Sequence, residues 1–172
     1  GMGGVLAEIG TVANSVIVGL SGSNTTACVF RGRYNEGSDK KGVQYLVTTV
    51  KKGTGTWRFS DPAKDGLLLR DYRNFRGTIS VDEGCLQFDT VAPIGEYCSV
   101  GLATMLKSPT LSSDWASLPN VDWAFSLGGN NVTETKLSEG TLEYTGVSAG
   151  LCDDRRVRLE ADARLRANGT KR

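Results

Sequence analysis

The stretch GVQYLVTTVKKGTGTWRF, residues 42–59, carries the clearest indication of the fold. Residues 43–50 form two alternating sets of side chains, and both sets are rich in β-branched or aromatic residues. This composition is typical of a strand that is covered on both faces. The segment therefore predicts a central β-strand.

A turn sequence, Gly53-Thr54, follows that strand. As the two-residue loop of a β-hairpin it places Val50 opposite Trp57. A slip of one residue would place Trp57 opposite Lys51, and the first register is preferred because burying so large a side chain is worth about 2–3 kcal/mol. The predicted apolar face consists of Leu46, Val50, Trp57 and Phe59, with Lys51 and Lys52 left near the turn.

Similar patterns predict further short strands. Residues 75–88 are interpreted as a second hairpin around Glu83-Gly84, in which Val81 faces Leu86. Residues 153–168 alternate apolar and charged side chains, which favours a strand, although their composition also suits a helix. No internal repeat is found. Other strands are predicted at 14–20, 26–34, 67–72, 96–104, 121–127, 132–137 and 141–147.

The composition indicates an all-β protein. Its 22 Gly and 4 Pro among 172 residues suit short strands joined by glycine-rich turns. We predict a single domain over residues 1–172, folded as an antiparallel β-sandwich or jelly roll of about eight to ten strands. A closed up-and-down β-barrel is the alternative.

Charged residues are segregated along the chain. The net charge is +6 over residues 31–76 and −7 over residues 77–152. If these segments form separate faces, the faces would suit head-to-tail contacts or an anionic partner, whereas strands interleaved in space would cancel the effect.

The 4 cysteines allow three pairings, and none lies in a C-x-x-C unit, so no metal site is predicted. Cys85 falls on a polar face and Cys98 on an apolar one, which disfavours a bond between them. A disulfide between Cys28 and Cys152 remains open.

Asn-x-Ser/Thr sequons begin at Asn24, Asn131 and Asn168. They favour a secreted chain if the source is a eukaryote, but chance occurrence in a Thr-rich sequence explains them equally well. No signal peptide or membrane span is predicted. The location is unassigned, with an extracellular or virion-surface location favoured over the cytoplasm.

The chain contains no histidine, so it lacks the commonest general base and metal ligand. It also lacks phosphate-binding loops and nucleophile elbows. These absences predict a non-catalytic protein without a cofactor.

Basic residues alternate with aromatic ones in the first half of the chain and are candidate contacts for an anionic polymer. The simpler interpretation is that the aromatic rings are core and the cations are solvated. The candidates are Arg31, Arg33, Lys51, Lys52, Arg58, Arg70, Arg73 and Arg76.

Gly55-Thr56-Trp57 resembles the Gly-x-Trp motif of lipocalins, which implies a barrel that carries a small apolar ligand. The resemblance covers three residues, and here they follow two predicted strands instead of opening the first one. No family is assigned on this basis.

Two roles follow from these observations. The first is a self-associating structural or assembly subunit, such as a capsid, filament or surface component. The alternative is a binding module that holds a small apolar ligand inside a barrel or a polymer on its loops, of which residues 107–120 form the longest.

Overall fold

The computed structural model describes residues 9–12, 15–30, 34–35, 46–60, 73–74, 77–93, 96–101, 124–129, 138–147 and 157–169. Regular structure in these ranges consists of strands. The strands are β1 (Ile9–Val12), β2 (Ser15–Leu20), β3 (Cys28–Phe30), β4 (Tyr34–Asn35), β5 (Leu46–Lys51), β6 (Thr56–Phe59), β7 (Arg73–Asn74), β8 (Ile79–Val81), β9 (Gly84–Phe88), β10 (Phe125–Leu127), β11 (Gly140–Tyr144), β12 (Val157–Leu159) and β13 (Ala163–Ala167).

The chain visits two sheets alternately. Sheet A has the order β1-β2-β5-β8-β10-β12, and sheet B has the order β13-β11-β9-β6-β3. Every pair is parallel except β1 with β2, which is antiparallel. A third sheet pairs β4 with β7. One strand of sheet A and the next strand of sheet B together form a coil, and five coils stack as a parallel β-solenoid.

The predicted antiparallel sandwich is therefore wrong, and so is the alternative barrel. The turn at Gly53 lies where it was predicted, but it leads the chain from sheet A into sheet B. Strand β5 pairs with β2 and β8, while β6 pairs with β3 and β9, so Val50 and Trp57 are not partners. The second predicted hairpin is wrong for the same reason, because β8 and β9 lie in different sheets.

The interior consists of layers in which one residue of each coil lies above its equivalent in the coil before. The four inward layers are Val18, Thr49, Ile79, Phe125 and Val157; Leu20, Lys51, Val81, Leu127 and Leu159; Cys28, Trp57, Leu86, Leu142 and Leu165; and Phe30, Phe59, Phe88, Tyr144 and Ala167. Stacking equivalent side chains is how a solenoid builds one continuous core from repeated units.

Several predicted orientations are confirmed. Trp57 and Phe59 point inward and are buried. Strand β5 is the exception, because Lys51 is buried and Val50 is only half-buried, which reverses the predicted faces.

Other outcomes concern the predicted strands. The final segment forms the strands β12 and β13 as favoured. Residues 96–101, the described part of the strand predicted at 96–104, are not a strand. The strands predicted at 67–72 and 132–137 and the loop at 107–120 lie outside the described residues.

The turns between the sheets also stack. From the second coil onward, the residue that follows each sheet A strand donates its backbone N–H to the last residue of the sheet A strand in the preceding coil: Lys52 to Leu20 at 2.8 Å, Asp82 to Lys51 at 2.9 Å, Gly128 to Val81 at 2.9 Å and Glu160 to Leu127 at 2.9 Å. These bonds fix the height of each coil on the one below.

Candidate functional site

The C-terminal coil, β12 and β13, exposes apolar side chains whose counterparts in the coil before it are buried. Leu159 is 63% exposed, although Leu127 directly before it in the layer is fully buried. Leu165 is 62% exposed, whereas its neighbour Leu142 is 4% exposed. Val157 is also exposed. An apolar surface of this kind marks an interaction site, because solenoids normally end in a polar capping repeat.

The backbone at this end is equally open. The carbonyls of Leu20, Lys51, Val81 and Leu127 accept a hydrogen bond from the next coil. Leu159 holds the same position in the last coil, and within the described ranges no donor reaches its carbonyl. Among the described strands, β12 and β13 therefore form sheet edges that can accept another strand.

The N-terminal end is formed by β1 at the edge of sheet A and β3 at the edge of sheet B. Residues 9–12 and 15–30 contain no charged side chain. Val29, which points away from the core, is 42% exposed. Edge strands are commonly protected from pairing by charges or proline, and neither occurs in β1 or β3.

The outward face of sheet B carries a row of hydrogen-bonded polar residues. Arg58 donates from Nε and Nη2 to Oε1 of Gln87, at 2.9 and 2.7 Å. Gln87 donates from Nε2 to Oε2 of Glu143 at 2.7 Å, and Asn168 Nδ2 donates to the other oxygen of Glu143. The chain of bonds links four coils and satisfies the buried carboxylate of Glu143.

The thiol of Cys85 joins this row and donates to Oε2 of Glu143 at 3.5 Å. Burial, followed by the charge and the hydrogen bond of Glu143, raises the pKa of Cys85 to about 12. Because the thiolate is the nucleophilic form, this arrangement makes an unreactive thiol and is unsuited to nucleophilic catalysis.

The expectation of disulfides is not met in the described part of the chain. Cys28, Cys85 and Cys98 carry free thiols. Cys152, the predicted partner of Cys28, lies outside the described residues.

Lys51 lies in an inward layer whose other members are apolar. Its ammonium nitrogen donates to the carbonyls of Lys52 at 2.9 Å, Gly53 at 2.5 Å and Glu83 at 3.0 Å. Burial lowers the pKa of Lys51 to about 8, while the nearby charge of Glu83 acts in the opposite direction. The side chain therefore joins two successive turns and is not presented to an external ligand.

The predicted basic contacts do not converge within the described residues. Lys52 is exposed on a turn, Lys51 is buried beneath it, and Arg58 is engaged with Gln87 on sheet B. Arg73 lies in β7 of the small third sheet. The remaining candidates, Arg31, Arg33, Arg70 and Arg76, lie outside the described residues. A polymer site from these residues stays a prediction.

Opposite charges lie on neighbouring coils. Among the described residues, the charged side chains at 46–60 are all basic, and those at 77–93 are all acidic. Strands β5 and β6 pair with β8 and β9, so the two groups are stacked within one molecule. The segregation of charge along the sequence therefore produces attraction between neighbouring coils of one molecule, as well as an electrostatic field around it.

In two of the sequons the asparagine side chain donates hydrogen bonds to other parts of the fold. Asn24 Nδ2 donates to the carbonyls of Thr26 at 2.6 Å and Thr56 at 2.8 Å, and Asn168 Nδ2 donates to Glu143. Attaching a glycan to Asn24 would remove one of these two N–H groups, of which the one bonded to Thr56 joins the first turn to the second coil. Asn131 lies outside the described residues.

None of the protein-family models, curated proteins or solved structures compared with the chain matches it. In the described ranges, no helix has the length and apolar character needed to cross a membrane. The same ranges contain no group of His, Cys, Asp or Glu residues arranged to hold a metal ion.

Sequence reasoning missed the two open ends because it missed the solenoid. The available signal was the spacing of turn glycines, since Gly22, Gly53 and Gly84 are 31 residues apart and all three adopt positive φ. A period in this range is typical of solenoids.

Proposed function

We propose that the chain is a non-catalytic structural subunit that assembles through the end of its β-solenoid. The observation that carries the proposal is the exposure of Leu159 and Leu165, whose counterparts in the preceding coil, Leu127 and Leu142, are buried. Each leucine would contribute about 1.5–3 kcal/mol if another chain covered it.

The properties of the rest of the described chain support an architectural role. Its polar side chains mostly bond to one another or to turn carbonyls, as Arg58, Gln87, Glu143 and Lys51 do. The one described thiol beside a carboxylate is held protonated. These groups stabilise coil against coil instead of converging on a substrate position.

Sedimentation velocity over a series of concentrations tests this role. The wild-type chain is expected to form larger species reversibly as its concentration rises, and Leu165→Glu is expected to remain monomeric. Because Leu165 is already exposed, the variant should keep the circular dichroism and thermal unfolding of the wild type.

Val147→Glu is the matched control, since Val147 is 58% exposed but lies outside the inward layers. It should assemble as the wild type does. A wild-type chain that stays monomeric at every concentration would overturn the proposal.

A further inference from the structure

We infer that the partner of the C-terminal coil is the same coil of a second copy, related to the first by a two-fold axis parallel to the strands. In this arrangement β12 of each copy pairs with β13 of the other, and the apolar interior continues from one copy into the next. The inference rests on the proposed function, and it adds which surface of the partner is bound and in which register.

The N-terminal end of another copy does not fit this surface. Strand β1 pairs with β2 at the edge of sheet A, whereas the edge strand of sheet B is β3, which belongs to the same coil as β2. Sheet A therefore extends one strand further than sheet B at the N-terminal end. The C-terminal coil ends at the same height in both sheets, so β1 would occupy the position that β12 needs when β13 lies against β3.

The two strands of a coil run in opposite directions and face each other. The rings of Phe88, at the end of β9, and Phe125, at the start of β10, lie 6.5 Å apart across the interior. In the last coil the layers of Phe125 and Phe88 contain Val157 and Ala167. A rotation about an axis parallel to the strands exchanges the sheets and keeps each residue's position along its strand. It therefore brings β12 antiparallel to β13 of the second copy.

The backbone of β12 is open toward the second copy. The carbonyl of Leu127 accepts a hydrogen bond from the N–H of Glu160 in the following coil at 2.9 Å. Leu159 is in register with Leu127, so its own N–H and carbonyl face the side on which a further strand would lie. Backbone groups alternate between the two sides of a strand, and Val157 therefore faces the same way.

The backbone of β13 is open in the same manner. The carbonyl of Tyr144 accepts a hydrogen bond from the N–H of Asn168 at 2.8 Å. Ala167 is in register with Tyr144, so its backbone groups face the open side. Leu165, two residues earlier, faces the open side as well.

The two-fold rotation matches these open residues with one another. Leu159 lies opposite Leu165 of the second copy, and Val157 lies opposite Ala167. In an antiparallel ladder, opposite residues whose backbone groups face each other exchange both N–H···O bonds, and a shift of one residue would lose that match. All four residues are exposed in the single chain, and the contact covers them in both copies. The C-terminal end is therefore complementary to itself.

The outward charges favour this axis over a two-fold axis perpendicular to the sheets. The parallel axis places Glu160 opposite Arg164 of the second copy and Arg158 opposite Arg166, so attractive and repulsive pairs are equal in number. The perpendicular axis pairs each strand with itself. With Leu165 opposite Leu165, it brings Arg164 and Arg166 of both copies into one row. Like charges directly opposite one another destabilise a strand pair.

Two substitutions of exposed arginines test the axis. Arg158→Glu and Arg164→Glu are matched, because each removes one ion pair within its own chain, with Glu160 and with Glu139 respectively. Arg158→Glu places a carboxylate opposite Arg166 of the second copy and should tighten the dimer. Arg164→Glu places a carboxylate opposite Glu160 and should weaken it. Each changes two symmetric pairs, so we expect the dissociation constant measured by sedimentation equilibrium to shift about fivefold in each direction.

A charge exchange tests the register. Glu160→Arg alone should weaken the dimer, because it faces Arg164, and adding Arg164→Glu to it should restore an affinity close to that of the wild type. Both positions lie outside the apolar layers, so the variants should keep the circular dichroism of the wild type.

The other outcomes are distinct. The perpendicular axis predicts the opposite signs, because there Arg158 faces Glu160 and Arg164 faces Arg166. Opposite signs, equal effects of the two arginine substitutions, no effect of either, or species larger than a dimer would each overturn the inference and leave the structural role intact, since a two-fold contact closes at the dimer. A wild type that is monomeric at every concentration overturns both.

Discussion

The ammonium nitrogen of Lys51 lies 3.0 Å from the carbonyl oxygen of Glu83, and this bond joins the turn of the second coil to the turn of the third. A lysine in an inward layer is costly because burial penalises its charge. The three carbonyl acceptors around it offset part of that cost. Lys51 thus fixes the stacking of two turns that also carry Gly53 and Gly84 at positive φ.

The lowered pKa of Lys51 predicts a distinct dependence of stability on pH. Between the folded pKa of about 8 and the ordinary lysine pKa of 10.5, the unfolded chain binds more protons than the folded chain. The free energy of unfolding contributed by Lys51 therefore rises with pH across that window, by up to about 3 kcal/mol.

Urea unfolding of the wild type and of Lys51→Met from pH 7 to pH 11 measures the contribution of Lys51 to the free energy of unfolding. The stability of the wild type relative to Lys51→Met should rise above pH 8. Cys85 acts in the opposite direction at alkaline pH, because its folded pKa is raised, but it is present in both proteins and largely cancels. A difference that stays constant with pH would contradict the buried, charged lysine.

The raised pKa of Cys85 predicts slow alkylation. At pH 8 the thiolate fraction at a pKa of about 12 is about a thousandfold smaller than at the ordinary value of 9.0. Labelling with iodoacetamide, followed by peptide mass spectrometry, should leave Cys85 unmodified in the folded protein and modify it after denaturation. Glu143→Gln should accelerate labelling, because Glu143 contributes to the shift through its charge and its hydrogen bond. Rapid labelling of Cys85 in the wild type would show that its thiol is neither buried nor bonded to Glu143.

Trp57 is expected to be a principal contributor to stability. It is 4% exposed, and its Nε1 donates to the carbonyl of Ser21 at 3.1 Å. Trp57→Ala should lower the free energy of unfolding by about 3–5 kcal/mol. Trp57→Phe keeps an inward aromatic ring but loses the hydrogen bond, so its smaller loss gives the combined cost of that bond and of the lost volume. Chemical denaturation measures both, and equal losses would mean that the ring contributes little.

The sequence predicted several of the described strands and the inward faces of some of them correctly, because alternation reports burial directly. The inward positions of Trp57, Phe59, Leu86 and Phe88 follow from that pattern. It could not show which strands pair, since a turn such as Gly53-Thr54 suits both a hairpin and a bend between two sheets. The faces of β5 were predicted the wrong way round because of Lys51. A cation beside a turn is usually solvated, and here it is enclosed by turn carbonyls.

The repeat that would have revealed the solenoid is regular only in part of the chain. Phe30, Phe59 and Phe88 are 29 residues apart and stack in one layer, but the next member, Tyr144, follows after 56 residues. The long separation interrupts the period. The open ends were beyond sequence reasoning, because an apolar residue such as Leu165 looks like a core residue until the strand beyond it is known to be missing from the described fold.

Assembly through the C-terminal coil is expected to be insensitive to salt. The exposed leucines at this end are apolar, so raising the salt should not weaken a contact that covers Leu159 and Leu165. Salt should weaken a contact between oppositely charged surfaces, because the Debye length shrinks from about 30 Å at 0.01 M to about 3 Å at 1 M. Light scattering of the wild type along a salt series measures the trend, and an assembly that dissociates steeply in salt would indicate that the +6 and −7 segments, and not the C-terminal coil, hold the copies together.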